Sequence, residues 1–394
     1  MKEIISNILI VGGGMSGLLS ALALSTTKNQ IIVIDKNFFN EDSKTKHDFR
    51  TTAIAEGSKK FFEEIKLWPS LKKHSELIKN IKVFDRNEKS KINFYNFKAS
   101  DPLGYVVRNT HIKLEIIKLL KRKKNILLLE KENLKGFNFN NEYAEVITKR
   151  FKIKANLILA TDGKFSSVRS IFDTPTYSKS YKHKALVVNF SHTKNHKSTA
   201  YEIFYKTGPL AILPMKSNSS KHYCSSLIWS NEIKYINSLI KTKPNLIKNI
   251  IEEKISQQVG EIIKLFDIKA FNLSAHLNTK FFDKRLIYLG DSAHSIHPIA
   301  GQGWNLGVRD VKNILEVVVD AQNLGLDIGT NYVCRKYHDL SFYDAYLLYQ
   351  ITDKLNSIFL KNNVFSSNIR RIGFKLIEKN KDLKNFISNF AMGF

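Results

Sequence analysis

The chain has 394 residues, 43% hydrophobic and 25% charged, the profile of an ordinary globular protein rather than a disordered one, with room for roughly two to three domains. A formal net charge of +26 taken alone points to nucleic acid, an anionic membrane or an acidic partner. Lysine is spread through the chain with Asn and Ile, however, as in KTKPNLIKNIIEEK from Lys241 to Lys254, so a lysine-rich surface is the plainer reading. A weak membrane-surface attraction comes next, and nucleic acid is disfavoured because no recognisable binding motif accompanies the charge. Cys224 and Cys334 have no close pairing and no metal-ligand spacing, so neither a disulfide framework nor a zinc site is implied and a reducing compartment fits.

In chain order, Asn7 to Val11 (NILIV) reads as a buried parallel strand, the following glycines as a turn, Met15 to Leu24 as a helix and Ile31 to Ile34 as a second strand. Lys2, the apolar run and Ala21-Leu22-Ala23 superficially imitate a signal peptide. Gly12, Gly13, Gly14 and Gly17 interrupt that run with nucleotide-binding spacing, so the segment is expected to belong to the mature protein. The apolar positions Ile112, Leu114, Ile116, Ile117, Leu119 and Leu120 predict a helix leading into a strand at Ile126 to Leu129, and Lys154 to Ala160 another buried strand. From His183 to Thr279 the texture changes to alternating and aromatic-rich runs, which predict the antiparallel strands of a second, sheet-based domain. Arg285 to Leu289 returns to buried-strand texture and precedes a helix from Gly303 to about Asn323, and Asn331 to Phe394 reads as helical. No run of 18 apolar residues occurs, so no transmembrane helix is expected.

The fold class expected is therefore α/β: a discontinuous Rossmann-like nucleotide-binding domain, an inserted and mostly antiparallel substrate sheet, and a helical C-terminal tail. The boundaries expected are 1–75, 101–182 and 281–330 for the three cofactor-binding parts, 76–100 and 183–280 for the substrate strands, and 331–394 for the tail.

Three segments carry the chemistry. Gly12-x-Gly14-x-x-Gly17 follows a strand and opens a helix, where Gly12 permits the turn, Gly14 the approach of a pyrophosphate and Gly17 close helix packing. Asp35 ends the next strand, where a carboxylate accepts hydrogen bonds from a ribose diol; these residues alone do not distinguish FAD from NAD. Ala160 to Arg169 places Asp162 and Gly163 at a strand end, a pattern that a simple turn with Ser166 or Ser167 capping a helix would also give. Gly290 to Asp310 delivers Asp291 to a ribityl chain and runs through Pro298, Gly301, Gln302, Gly303, Trp304 and Asn305 into a helix N-terminus. Backbone N–H groups there can face the pyrimidine end of an isoalloxazine, where reduction develops negative charge. His294 and His297 lack a third ligand, so no metal is expected, and His294 reads as a hydrogen-bonding element of its loop. No P-loop and no GxSxG elbow is present.

Together the three segments resemble the class A flavoprotein aromatic hydroxylases, and GDSAH followed by PIAGQGWNLGVRD is similar to their ubiquinone-biosynthesis branch, the UbiH family. Asp48-Phe-Arg50-Thr-Thr-Ala53, Gly104 to Asn109, Gly208 to Pro214, Thr352-Asp353 and Ala391-Met-Gly393 extend the resemblance over most of the chain. The resemblance implies an FAD-dependent monooxygenase that uses O2 and NAD(P)H or another electron donor to hydroxylate the ring of a polyprenylphenol-type ubiquinone precursor. It also implies Arg50 near the FAD pyrophosphate or the flavin, the Asp162-Gly163 segment touching both FAD and NAD(P)H, and no protein nucleophile. A cytoplasmic enzyme, peripheral at the inner face of the membrane and alongside other quinone-biosynthesis proteins, would suit such a substrate. A reductase or epoxidase of isoprenoids shares the fold and stays open, as does, in a different class, a basic membrane- or nucleic-acid-associated scaffold. The family usually carries a carboxylate at Arg108, a small residue at Thr161 and a smaller apolar residue at Trp304. Arg108 leaves open which side chains nearby touch FAD, and Trp304 is expected to reshape the substrate pocket.

Overall fold

A computed structural model describes residues 1–39, 48–85, 90–95, 102–217, 219, 221–361 and 363–392. Parts of the expected substrate strands (86–89 and 96–100) and the Gly393 match lie outside the described residues. The first sheet has a parallel core in the order Leu286–Tyr288, Phe151–Ala160, Lys2–Val11, Ile31–Asp35, Ile126–Glu130. These strands read as near-continuous Ile, Leu and Val because helices cover the sheet: Met15–Leu24, Asn109–Leu120 and Gln302–Asn323 pack into one core with them. Lys2–Val11 lies between a strand that follows it closely and one that returns from beyond residue 150. The carboxyl end of this strand is therefore the point at which the strand order reverses, where open α/β sheets bind ligands.

The second sheet has eight strands among the described residues, and its longest, Thr176–His192 and Ile262–Asn278, run antiparallel side by side. Thr176–His192 starts ahead of the change of texture at His183, because its first residues are exposed and polar and carry no apolar alternation. The sheet is antiparallel except where Asn80–Asp85 pairs in parallel with Thr199–Tyr205. A small third sheet, Thr51–Ala55, Gly104–Arg108 and Glu76–Ile78, lies between the other two in the chain path.

Two features fix these parts to one another. His276 and Leu277 of the long strand pair with Ser295 and His294, tying the second sheet to the Gly290 loop. The C-terminal helices Asn331–Leu360 and Val364–Lys379 are held by a buried ion pair between Arg370 and Asp85, 2.9 Å apart, while Arg370 also donates to the carbonyls of Ile358 and Lys361.

Candidate cofactor site

The glycine turn is shaped by what each glycine would otherwise touch. Gly12 has φ +111, and a Cβ there would lie 2.6 Å from the carbonyl oxygen of Thr161, so both its conformation and its neighbour exclude a side chain. A Cβ at Gly17 would run into the Gly12 carbonyl and come within 2.5 Å of Thr161 Oγ1, so the helix sits directly on the turn. Gly14 differs: its backbone is extended, and nothing lies within 4 Å of the place its Cβ would take. That open space fronts the N-terminus of Met15–Leu24, which no side chain caps, the arrangement in which a helix end can receive an anion. Thr161, a departure from the family pattern, has its hydroxyl 2.8 Å from the Gly12 carbonyl and 3.0 Å from that of Val11, bracing the turn from the adjacent strand. Asp35 accepts from the N–H of Gly13 at 2.6 Å and of Asn37 at 2.7 Å, one bond to each oxygen, so each keeps accepting capacity for a ribose hydroxyl.

Across the turn, Asp162 Oδ2 accepts from Ser167 Oγ and the N–H of Val168, at 3.0 and 3.1 Å. Its Oδ1 is buried with no hydrogen-bond partner, an orphaned acceptor that a cofactor hydroxyl or N–H would satisfy. Ser166 caps the short helix Ser167–Ile171, so the capping interpretation of this segment is realised, and it leaves Asp162 Oδ1 unengaged. Arg169 of that helix reaches the Ser292 carbonyl at 3.1 Å and His276 Nε2 at 3.0 Å, linking Asp162 to the Asp291 loop. Gly163 has φ +87 and faces open space.

Gly290 turns against the start of the first helix, where a Cβ would lie 2.6 Å from Ser16 Oγ. Asp291 follows, solvent-accessible yet ringed by protein, as in a concave site. That crowding pushes its carboxyl above the usual range, against the opposing pull of His294, Arg50 and Lys164. Arg50 is positioned by a relay. Thr52 donates to Asn109, Asn109 donates to Asp48 at 3.1 Å, and Asp48 takes a two-pronged bond from Arg50 with both contacts at 2.7 Å. Burial alone would raise the Asp48 carboxyl, but Arg50 and Asn109 hold it below its ordinary value. The guanidinium, half-exposed, lies 5.3 Å from the centre of the Phe271 ring.

The loop from Pro298 ends in a left-handed Gly301 that starts the 22-residue helix Gln302–Asn323, again with no side-chain cap. Gly307 lies 3.6 Å by its would-be Cβ from Gly290 Cα, so this helix and the first helix both open beside the Asp291 turn. Gln302 and Gly303 form its first turn. The side chain of Asn305 is spoken for: it accepts from Ala55 N–H and Ser58 Oγ, both at 2.9 Å, and donates to the Ala53 carbonyl at 2.8 Å. It clamps the loop to the third sheet, which leaves its backbone rather than its amide to meet a cofactor. Trp304 packs on Phe62 with ring centres 5.6 Å apart and keeps a buried Nε1 without a partner.

His294 donates from Nε2 to Asp310 Oδ2 at 2.7 Å, and the same oxygen accepts from Gly290 N–H at 2.8 Å. Burial opposes charge on His294, but Asp310 and then Asp291 hold its imidazole above the ordinary range. His297 instead packs edge-on against Tyr181, and burial pushes it down to about 4. The two histidines thus do different work. The sequence reading singled out neither Asp310 as the partner of His294, nor Asn109 and Asp48 as the seat of Arg50, nor Lys164 beside Asp291. All four lie inside stretches that carried a motif signal, Asp48 before Arg50, Asn109 after Gly104, Asp310 at the end of the Gly290 stretch and Lys164 after Gly163, but nothing local named their partners.

A cavity of about 1020 Å3 lies between the third sheet and the long strands, reached from the site through Phe49 and Thr51 on either side of Arg50, and bounded also by Val106, Met215 and Cys224, with Lys73, Lys216 and Lys264 on its wall. Arg108 turns into it and faces Asp267 at 4.0 Å.

Two uncapped helix ends, an orphaned carboxylate oxygen and a strand-end carboxylate with accepting capacity to spare, gathered around one glycine turn, have the geometry of a dinucleotide-binding protein. The chain belongs to the family described as FAD binding domain, which it matches over residues 6–320. It is 29% identical over 390 residues to ubiquinone hydroxylase UbiL of Rhodospirillum rubrum, covering 99% of this chain and 90% of that protein. It is 25% identical to 3-demethoxyubiquinol 3-hydroxylase of Escherichia coli, covering 98% of each. Its fold matches that of p-nitrophenol 4-monooxygenase PnpA from Pseudomonas putida with a TM-score of 0.79 at 15% identity, over 100% of this chain and 98% of that one. The protein is an FAD-binding oxidoreductase of the flavin monooxygenase kind.

Proposed function

We propose that the protein inserts one atom of O2 into the aromatic ring of a polyprenylated ubiquinone precursor, with NAD(P)H or another donor supplying the electrons. The observation that carries this reading is the uncapped N-terminus at Gly301 to Asn305, beside the Asp291 turn and packed through Asn305 against the third sheet that walls the cavity. The names of the two relatives, both hydroxylases of quinone biosynthesis, support it.

When bound, FAD supplies the redox chemistry: it takes two electrons from the donor and activates O2 for transfer to an electron-rich ring. The overall balance is ring C–H, O2, NAD(P)H and a proton giving ring C–OH, NAD(P)+ and water. This chain's residues bind and orient. Gly14 and the first helix end receive the pyrophosphate, Asp35 the ribose, Asp291 the ribityl hydroxyls, and Arg50 offsets phosphate charge. The Gly301–Asn305 N–H groups stabilise negative charge at the flavin's pyrimidine edge, and Trp304 on Phe62 excludes water behind the loop. In this reading 1–75, 101–182 and 281–330 hold the cofactor, 76–100 and 183–280 face the ring substrate, and 331–394 closes the outside. The enzyme sits peripherally at the inner face of the membrane, where a polyprenyl tail resides; no helix among the described residues is long and apolar enough to cross one.

The test is product analysis with purified holoenzyme, NAD(P)H or a chemical reductant, and either a short-chain prenylphenol or a prenyl chain without a ring. Ring hydroxylation of the first, with the second untouched, is expected. Epoxide or saturated prenyl products would replace the reading with an isoprenoid epoxidase or reductase.

A further inference from the structure

The helix Val364–Lys379 has two faces of different kinds. Ser366, Arg370 and Phe374 are buried, and the Arg370–Asp85 ion pair fixes which way the helix is turned. The opposite side carries Phe365, Ile369, Ile372 and Leu376, spaced i, i+4, i+7 and i+11, the spacing of a single helical face. Phe365 is 73% exposed, Ile372 54% and Leu376 58%. Because the inner face is locked, this stripe cannot be buried by rolling the helix. Phe386, 68% exposed on the next helix, Lys381–Met392, adds a further apolar group.

Arg371, Lys375 and Lys379 are exposed at i, i+4 and i+8 and run along one flank of the stripe, where the one acid, Glu378, is paired with Lys384 at 2.8 Å. Asn331–Leu360 also exposes Leu340, Tyr343 and Leu347, but Asp339 and Asp344 lie among them, so that face lacks the cationic flank.

We infer that the Phe365–Lys379 face is the surface by which this protein docks on an anionic phospholipid bilayer. The two chemistries are satisfied by one partner: the aromatic and branched side chains enter the boundary between headgroups and acyl chains, and the three cations reach lipid phosphates. A second copy of this chain suits the surface less, because a two-fold contact would bring the Arg371, Lys375 and Lys379 rows close to each other. The surface rests on the proposed function only for its purpose, delivery of a lipid-dissolved substrate. The contact itself stands on the helix alone.

The experiment is flotation of full-length holoenzyme with vesicles, without ring substrate, comparing phosphatidylcholine containing phosphatidylglycerol with pure phosphatidylcholine. The wild type is expected to float with the anionic vesicles at low salt and much less at high salt. The variant Phe365→Ser/Ile372→Ser/Leu376→Ser, altered only at exposed positions, is expected to lose more than roughly 100-fold in partitioning. Arg371→Gln/Lys375→Gln/Lys379→Gln is expected to lose about fivefold per cation, roughly 100-fold in all. FAD content, melting temperature and turnover of a short-chain soluble prenylphenol should match the wild type in both variants.

Wild type that ignores anionic vesicles, or variants that bind as the wild type does, would overturn the inference. So would a wild-type dimer abolished by the serine variant without vesicle binding, which would make the face a self-association surface. Vesicle binding without turnover would leave the inference standing and count against the proposed function instead.

Discussion

Gly14 and Gly17 lie three residues apart in one turn, and the structure assigns opposite consequences to filling them. Gly14 has φ −71 and ψ −177, which any residue adopts, and no atom within 4 Å of its missing Cβ. Gly14→Val should therefore fold, losing at most about 1 kcal/mol through a poorer N-cap. The new side chain would stand where the helix N–H groups meet the pyrophosphate. Two charge-assisted hydrogen bonds at about 1.5–3 kcal/mol each amount to roughly 3–6 kcal/mol, or a loss of FAD affinity of roughly a hundredfold to ten-thousandfold. Gly17→Ala places its methyl against the Gly12 carbonyl and Thr161 Oγ1, an overpacking that costs about 1–3 kcal/mol and acts on the fold itself. The assay is FAD titration of the deflavinated proteins by flavin fluorescence, alongside thermal melting of the same apoproteins. Gly14→Val should melt near the wild type and purify colourless, and Gly17→Ala should melt clearly lower. A yellow Gly14→Val protein with unchanged affinity, or one as destabilised as Gly17→Ala, would refute the assignment of that open space to the pyrophosphate.

At Gly303 the nearest atom to a would-be Cβ is Ile296 Cγ1 at 3.8 Å, so Gly303→Arg should fold, yet lose more than roughly 100-fold in turnover by placing a large cation in the loop proposed to face the flavin; product formation and apoprotein melting separate the two effects. Asp48→Asn removes the charge that seats Arg50 and should weaken FAD binding about tenfold, read by the same titration, with little change in melting. The pH dependence of stability should carry the mark of His297, whose value falls from 6.5 in the unfolded chain to about 4 in the fold. The unfolded chain then binds the extra proton between these values, so this contribution is intact above pH 6.5 and is lost as pH falls toward 4, by up to about 3 kcal/mol. His297→Gln should flatten that part of the acid limb in melts recorded across the window; an unchanged slope would refute the assignment.

Strands with a continuous apolar signature, such as Asn7 to Val11 and Lys154 to Ala160, were legible because both of their faces are covered. Their extensions were not: Lys2 to Ile5 pairs with Phe151 to Lys154 while largely exposed, and the polar Ser6 and Asn7 separate its two isoleucines from the apolar run that follows. The parallel pairing of Asn80–Asp85 with Thr199–Tyr205 joins segments far apart in sequence, and nothing local in either strand names its partner. Within the site, the glycines were legible because a missing side chain is itself a local signal. Partners were not. The Asn305 amide turns to Ala53, Ala55 and Ser58, Arg108 faces Asp267, and Asp310 serves His294 and Gly290 together, all contacts that exist only after the sheets assemble.

The central claim, that this protein transfers one atom of O2 to an aromatic ring, is tested most directly by isotope. Holoenzyme with reductant and a short-chain prenylphenol is run once under labelled O2 in ordinary water and once under ordinary O2 in labelled water, and the hydroxylated product is weighed by mass spectrometry. The account predicts one labelled oxygen atom in the first product and none in the second. Label arriving from water, or FAD reduction and reoxidation with no oxygen in the ring, would contradict it.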